Sequence, residues 1–507
     1  MLISTNNNMI RYTLYSNSLI ALGLILLLSC SVPKVTNEQK SLGEIALIPQ
    51  PSAIASTVGT YPIGNHLFIT IDSSNTSDVI KEQLQFTLSS SGSKAFKVNF
   101  AKDPSLQKER YKLSINQNGV TILAKDNTGW YWGTQTLRQL IMLGSSANSI
   151  PFLTIDDYPA FGYRGMMLDI ARHFFSVTEI KKLIDDITLY KINKLHLHLS
   201  DDQGWRIEIK SWPNLTAIGS KMEVGGSEGG YLSQADYIDL VSYAATRKIM
   251  IIPEIDMPGH TNAALASYAQ LNYEGIAPEL YTGTEVGFST LSTDKPITYE
   301  LVDDVVREIS ALTPGDYFHI GGDESHVTEK DDYIYFVNRV KTIVNSYGKK
   351  MIGWDEIAQA KLDCTAVVQL WAHAENAELG IQKGAKVLLS PAHKTYLDMK
   401  YDSSTTLGLS WAGYIDLETA YNWTISEVAP GIDRTHIIGL EAPLWTETVT
   451  DIKEAEYMIF PRLPAYAEWG WTDVEQRNFE RFSKRIDVHK TIWNKLGINY
   501  GPTQKEE

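Results

Sequence analysis

Lys194-Leu195-His196-Leu197-His198-Leu199-Ser200-Asp201-Asp202-Gln203-Gly204-Trp205 is the stretch on which the fold turns. An apolar run of strand length stops abruptly in a polar loop tipped by an aromatic ring. Short apolar runs of this kind recur at 165–170, 194–199, 249–255, 317–320, 350–354, 366–371, 386–389 and 437–440, separated mostly by helical stretches. Strands alternating with helices predict a parallel sheet buried on both faces. Two helix starts support this rhythm: Ser176-Val177-Thr178-Glu179 is a capping-box pattern, and Ser233-Gln234-Ala235-Asp236 is its acidic variant. Eight strands over about 310 residues predict a (β/α)8 barrel with insertions, residues 159–475. An open doubly wound sheet is the structural alternative, but its glycine-rich phosphate turn is missing after the first run.

Upstream, residues 44–158 have a different pattern, with short alternating segments such as Phe68-Ile69-Thr70-Ile71 and Val120-Thr121-Ile122-Leu123 and a helix over 130–143. This reads as a small α+β domain with a supporting role. It carries no paired carboxylates or glycine-rich loop suited to chemistry. The break at Asp156-Asp157-Tyr158-Pro159 marks the boundary. Downstream, 476–507 reads as a C-terminal helix and tail.

At the N-terminus, Leu19-Ile20-Ala21-Leu22-Gly23-Leu24-Ile25-Leu26-Leu27-Leu28 is half the length of about 20 residues that a membrane span needs, so residues 1–29 read as a secretory signal. Leu27-Leu28-Ser29-Cys30 resembles a bacterial lipobox, which makes Cys30 the expected lipidated first residue and 30–43 a polar tether. The plainer alternative is an ordinary signal with an incidental cysteine. An exported protein of the bacterial cell envelope follows, touching the membrane only through its lipid. Cys364, the other cysteine, is expected to be a small buried hydrophobe.

The chain of 507 residues has 45 basic and 60 acidic side chains, a formal charge of −15. That excess disfavours nucleic acid as a partner and suits a neutral or cationic substrate.

Active sites of such barrels form at the C-terminal strand ends, and there the polar and aromatic residues gather. Asp169 and Arg172-His173 follow the first run, and Ser200-Asp201-Asp202-Gln203-Gly204-Trp205 ends the second. The third and fourth lead into Pro253-Glu254-Ile255-Asp256-Met257-Pro258-Gly259-His260 and His319-Ile320-Gly321-Gly322-Asp323-Glu324. Trp354 and Trp371 end the fifth and sixth. Tyr396 with Asp398, and Trp445 with Glu447, follow the last two. Aromatic rings at loop tips are costly unless they line a pocket. Rings together with carboxylates and one arginine describe a sugar site, with ring faces on the C–H face of a pyranose and charges on its hydroxyls. Glycoside cleavage needs an acid for the leaving oxygen, and Asp323-Glu324 supplies the candidates. Like charges and burial should leave one of them protonated near neutrality. Adjacent residues cannot stand on opposite faces of one ring, however, so the usual acid-plus-nucleophile arrangement is awkward here.

Arg172-His173-Phe174-Phe175, the 196–205 motif, the 253–260 motif, the 319–324 motif and Gly133-Thr134-Gln135-Thr136-Leu137 together resemble glycoside hydrolase family 20, the β-N-acetylhexosaminidases. The resemblance covers nearly the whole chain after the tether. It implies a retaining exo-acting enzyme that removes terminal β-linked N-acetylglucosamine or N-acetylgalactosamine, with the substrate's own acetamide oxygen as nucleophile. No cofactor or metal is implied. Glu324 would be general acid and then base, and an ionised Asp323 would accept the acetamide N–H. Tyr396 would aim the acetamide oxygen. Trp354, Trp371 and Trp445 would wall the pocket, with Trp411 on the leaving-group side. Arg172 and Glu447 would hold the 3- and 4-hydroxyls, Asp398 the 6-hydroxyl, and Asp201 and His260 would support the acid.

Each of these has a bland alternative: a solvated strand-end acid pair, an arginine that only salt-bridges Asp169 or Asp201, and tryptophans such as Trp130, Trp132 and Trp212 that only pack. His196 and His198 read either as core histidines or as the His-x-His of a metal-dependent hydrolase, and His319 as interior structure. Two further functions stand beside the hexosaminidase: that metal-dependent hydrolase, and a lipid-anchored glycan binder without catalysis. Loops 225–230 and 273–289 are expected to select the glycan.

Overall fold

A computed structural model of the chain describes residues 45–63, 66–72, 77–87, 94–144 and 147–504. The expected signal, Cys30 and the tether lie outside them. Residues 45–507 fall into one compact unit.

Strands β1 (Ala53–Pro62), β2 (His66–Asp72), β3 (Lys94–Lys102), β4 (Tyr111–Asn116), β5 (Gly119–Ala124) and β6 (Ser149–Asp157) form a mixed sheet in the order β1-β6-β4-β5-β3-β2. Helices α1 (Asp78–Thr87) and α2 (Asn127–Gly144) pack on it. Helix α2 is buried along most of its length because it lies between the sheet and the C-terminal helix Phe479–Leu496.

Strands β7 (Tyr163–Asp169), β8 (Lys194–His198), β9 (Met250–Glu254), β10 (Tyr317–His319), β11 (Lys350–Trp354), β12 (Ala366–Leu370), β13 (Lys386–Leu389) and β14 (Ile437–Leu444) close a parallel barrel. Successive registers run Gly165 to Lys194, Lys194 to Met250, Tyr317 to Lys350 and onward, until Gly439 returns to Tyr163. Every residue of β7 is buried, as expected of a strand covered on both faces. Ser176 and Ser233 each make the reciprocal side-chain and backbone bonds of a full capping box.

Inside the barrel, alternate side chains stack in layers. An apolar layer of Tyr163, Ile252, Ile352, Val367 and Leu388 lies at one level. A polar layer contains Glu254, His196, His198, His319, Gln369 and Glu441, all fully buried.

The two domains are joined by buried charge. Asp157 on β6 accepts from Lys191 Nζ (2.8 Å), Tyr111 Oη (2.6 Å) and Trp471 Nε1 (2.8 Å). Arg164 on β7 pairs with Glu109 at 2.7 Å. Trp132 packs edge-on against Trp471, Trp130 donates to the Ala101 carbonyl, and Trp212 donates to Asp304, so all three tryptophans pack rather than bind.

One expectation about burial fails. Cys364 is exposed, because it sits in the surface turn that carries the chain into β12. No helix of the described residues is long and apolar enough to cross a membrane.

Candidate active site

Strand β10 ends at His319, and the chain then passes through Gly321 and Gly322 at positive φ (65° and 96°) before Asp323 and Glu324. A Cβ on Gly321 would lie 1.8 Å from Asp256 Oδ1, so only glycine lets the strand end approach that carboxylate. Gly322 N–H donates to the same oxygen at 3.0 Å. Glu324 itself has φ 46°, a left-handed conformation costly for a non-glycine residue and concentrated at functional sites.

Both carboxyls face one imidazole: His260 Nε2 lies 3.7 Å from Asp323 Oδ2 and 3.5 Å from Glu324 Oε2. His260 Nδ1 lies 3.1 Å from Asp201 Oδ1, and the other Asp201 oxygen bonds His198 Nε2 (2.9 Å) and Arg172 Nη2 (2.8 Å). Burial alone would raise the Asp201 carboxyl, but the Arg172 and His260 charges leave it well below the usual carboxylate range. Burial disfavours charge on His260 too, yet Asp201 and Asp323 hold it well above an ordinary histidine. Burial and then the Asp256 charge push Asp323 well up, with His260 opposing. Its ionisation is therefore coupled to a hydrogen-bond donor reaching it.

A cavity of about 250 Å³ is lined by Arg172, His260, Asp323, Glu324, Trp371, Tyr396, Asp398, Trp411, Trp445 and Glu447, together with Thr284, Val286 and Leu409. Its size suits one monosaccharide rather than a drug-sized ligand, whose sites run about 300–1,000 Å³. The Arg172 guanidinium stands 4.8 Å over the Trp445 ring, Tyr396 packs 5.9 Å from Trp411, and Trp411 lies 6.1 Å from Trp371. Trp411 is 57% exposed at the mouth. Within the described residues, Arg172 Nε, His260 Nε2, Asp323 Oδ1, Glu447 Oε2 and both Asp398 carboxyl oxygens are buried without a hydrogen-bond partner. A polyhydroxylated ligand would satisfy them.

Two of the expected site residues lie one layer behind the lining. Asp201 is buried beneath Arg172 and His260. Trp354, expected to wall the pocket, is buried 5.7 Å from the Trp445 ring and donates its indole N–H to Glu254 at 3.0 Å. Arg172 does salt-bridge Asp169 and Asp201, and lines the cavity as well.

Glu254 faces three imidazoles: His196 at 3.1 Å, His319 at 2.9 Å, and His198. His196, Glu254 and His319 converge closely enough to suit a metal. Burial pulls the His196 ring down, but Glu441 and Glu254 raise it to about 9: Nδ1 lies 2.8 Å from Glu441 and Nε2 3.1 Å from Glu254, and the ring does not reach the pocket. The His-x-His pair is thus spent on carboxylates, as core histidines.

The sequence reading missed Asp355 and Glu356. Asp355 Oδ2 accepts the backbone N–H groups of Trp371, Ala372 and His373 at 3.1, 2.9 and 3.0 Å. Glu356 Oε2 accepts the indole N–H of Trp371 at 3.1 Å. Burial, then the charges of Asp355 and Asp323, raise Glu356 to about 8. Their only sequence signal was a third adjacent acid pair at a barrel strand end, after Asp201-Asp202 and Asp323-Glu324. A larger cavity of about 390 Å³, between Phe161, Trp469 and Arg477, has Asp433 as its one acidic lining residue and no acid pair.

Comparison with known proteins agrees with this geometry. Residues 161–474 match the profile of glycosyl hydrolase family 20, catalytic domain, and 44–158 match family 20, domain 2. A beta-N-acetylhexosaminidase of Cellulomonas fimi is 42% identical over 396 residues, covering 77% of this chain and 80% of the relative. The structure of Streptomyces plicatus N-acetyl-beta-hexosaminidase in complex with Thio-NAglucal superposes with a TM-score of 0.85 at 42% identity, covering 90% of this chain and 96% of the other. A mutant of the same enzyme in complex with its product GlcNAc gives 0.84 at 42% identity, covering 91% and 98%. With both domains matched in order and the acid pair, imidazole and tryptophans in one pocket, the chain belongs to glycosyl hydrolase family 20.

Proposed function

We propose that the protein is a retaining exo-β-N-acetylhexosaminidase, acting on non-reducing terminal β-linked N-acetylhexosamine by substrate assistance. One observation carries this reading: the Asp323 and Glu324 carboxyls converge on a single imidazole. They stand on one side of the pocket and cannot flank the anomeric carbon as an acid–nucleophile pair about 5 Å apart across the bond would. The nucleophile is then the acetamide oxygen. Glu324 protonates the glycosidic oxygen while that oxygen's bond to C1 breaks and the acetamide oxygen bonds to C1. Asp323 accepts the acetamide N–H and stabilises the positive oxazolinium. The Tyr396 hydroxyl donates to the acetamide oxygen and fixes its approach. Water, deprotonated by Glu324, then opens the oxazolinium with net retention. Arg172, Asp398 and Glu447 close the far end around the sugar hydroxyls, so only a terminal residue fits. The test compares an aryl N-acetyl-β-glucosaminide with the matching β-glucoside. The glucoside has no internal nucleophile, so comparable hydrolysis of both overturns the reading.

The lipobox-like Leu27-Leu28-Ser29-Cys30 supports export and lipid anchoring in a bacterial envelope. Detergent-phase partitioning that is lost in Cys30→Ala would support the anchor, and unchanged partitioning would refute it.

A further inference from the structure

We propose that His260, Asp323 and Glu324 also form a zinc-type divalent-cation site, through which such ions block the pocket. The metal geometry stands on its own, and only its inhibitory consequence rests on the hexosaminidase reading. His260 Nε2 is buried, has no hydrogen-bond partner and points between Asp323 Oδ2 at 3.7 Å and Glu324 Oε2 at 3.5 Å. One atom from each of the three lies within 4.8 Å of the others. Zinc binds imidazole nitrogen and carboxylate oxygen at about 2.0–2.2 Å, so neighbouring ligands of a tetrahedral ion stand about 3.3 Å apart. The two distances from His260 are already close to that edge.

The layer behind the site is built the same way. Metal-bound histidines usually give their second nitrogen to a carboxylate, which fixes the ring and directs the lone pair at the ion. His260 Nδ1 makes that contact with Asp201 at 3.1 Å, and Asp201 is itself held by His198 and Arg172. His260, Asp323 and Glu324 all open onto the pocket, which gives an ion an entry path and leaves its fourth position to water. One nitrogen and two carboxylate oxygens with an open position match zinc, cobalt or copper better than magnesium or calcium, which take oxygen-only shells. Binding replaces a proton on Nε2 with the ion and releases that proton to solvent. The acid and the acetamide acceptor are then occupied together, so the ion competes with substrate.

The test titrates the full chain, in chelator-treated buffer, with Co²⁺ as a visible probe and with Zn²⁺ as inhibitor. The proposal expects a cobalt absorption band that saturates at one equivalent, zinc inhibition competitive with the aryl glycoside and reversed by chelator, and displacement of cobalt by N-acetylglucosamine. His260→Asn should abolish the band. Asp201→Asn, which removes the contact behind the ligand, should weaken zinc about 10–100-fold, and thermal melts show whether either variant is folded. Replacing Cys30 and Cys364 by serine should leave the band intact. Loss of the band in the cysteine variant assigns the ion to a thiol and overturns the proposal, as does a band that survives in folded His260→Asn. Failure of one equivalent of cobalt to bind at all overturns it too. A one-equivalent site in a chain that cleaves no N-acetylhexosaminide would refute the activity and leave the metal site standing.

Discussion

The indole N–H of Trp371 donates to the Glu356 carboxyl across 3.1 Å, so a wall of the sugar pocket hangs from an acid that does not line it. Glu356→Leu should free that ring and cost about 1 kcal/mol, roughly fivefold in kcat/KM, mainly through KM for the N-acetyl substrate. Glu356→Gln keeps an acceptor and should bind normally. The wild-type carboxyl, raised to about 8 by burial and by Asp355 and Asp323, ionises above that pH. The charge that forms there opposes ionisation of Asp323, which must be ionised to accept the acetamide N–H, so the rising acid-side limb of activity should lie at higher pH in wild type than in the glutamine variant. Coincident pH–rate profiles for the two proteins would count against this coupling.

Asp323→Asn should lower kcat/KM by about 10²–10³ whatever the leaving group, because the charge it stabilises forms in every substrate. Glu324→Gln should differ, losing far more towards a sugar leaving group than towards a nitrophenol that departs without protonation. Equal losses for the two leaving groups in Glu324→Gln would remove it as the acid.

Lys191 and Asp157 form a buried ion pair at 2.8 Å between the two domains, and both side chains are essentially inaccessible. Lys191→Met leaves the Asp157 carboxylate uncompensated and should destabilise the protein by about 3–5 kcal/mol. Adding Asp157→Asn should recover part of that loss. Chemical denaturation midpoints for the two variants check both statements.

Asp186 on helix α3 (Val177–Thr188) is pushed to about 7 by burial, despite Lys182 at 2.7 Å. A buried acid whose folded pKa is raised contributes fully below its unfolded value, about 3.8, and loses that contribution as pH rises through about 7. Asp186→Asn should therefore gain stability relative to wild type between pH 4 and pH 8, by at most about 4 kcal/mol, read from melting temperatures across that range. An advantage that shrinks as pH rises would contradict the sign.

The barrel was legible because its strands are buried on both faces, so an apolar run and a strand coincide. Lys350–Trp354 and Lys386–Leu389 match their runs end to end. Strand β14 extends to Leu444, past the expected 440, because Glu441 interrupts the apolar run yet is buried against His196 and Tyr163. Strand β1 could not be read, since most of its side chains are exposed and show no alternation. Nine of the pocket's side chains carried strand-end signals, and Trp411 came only through the family resemblance. Thr284 and Val286 lie in the 273–289 loop expected to select the glycan, although no periodicity singled them out; Leu409 comes from a loop without any signal, and Glu356 acts on a ring fifteen residues away, a contact that only the closed barrel creates. Cys364 was misjudged because burial of a lone thiol depends on where a turn falls.

The internal nucleophile is tested most directly by a series of aryl glycosides whose N-acyl group is acetyl, monofluoroacetyl, difluoroacetyl and trifluoroacetyl. Each fluorine withdraws electrons from the carbonyl oxygen while leaving the rest of the sugar unchanged. If that oxygen attacks C1 beside Asp323 and Tyr396, log kcat/KM should fall steeply and linearly across the series. A flat line would mean that a protein group or free water attacks the anomeric carbon, and would contradict the account.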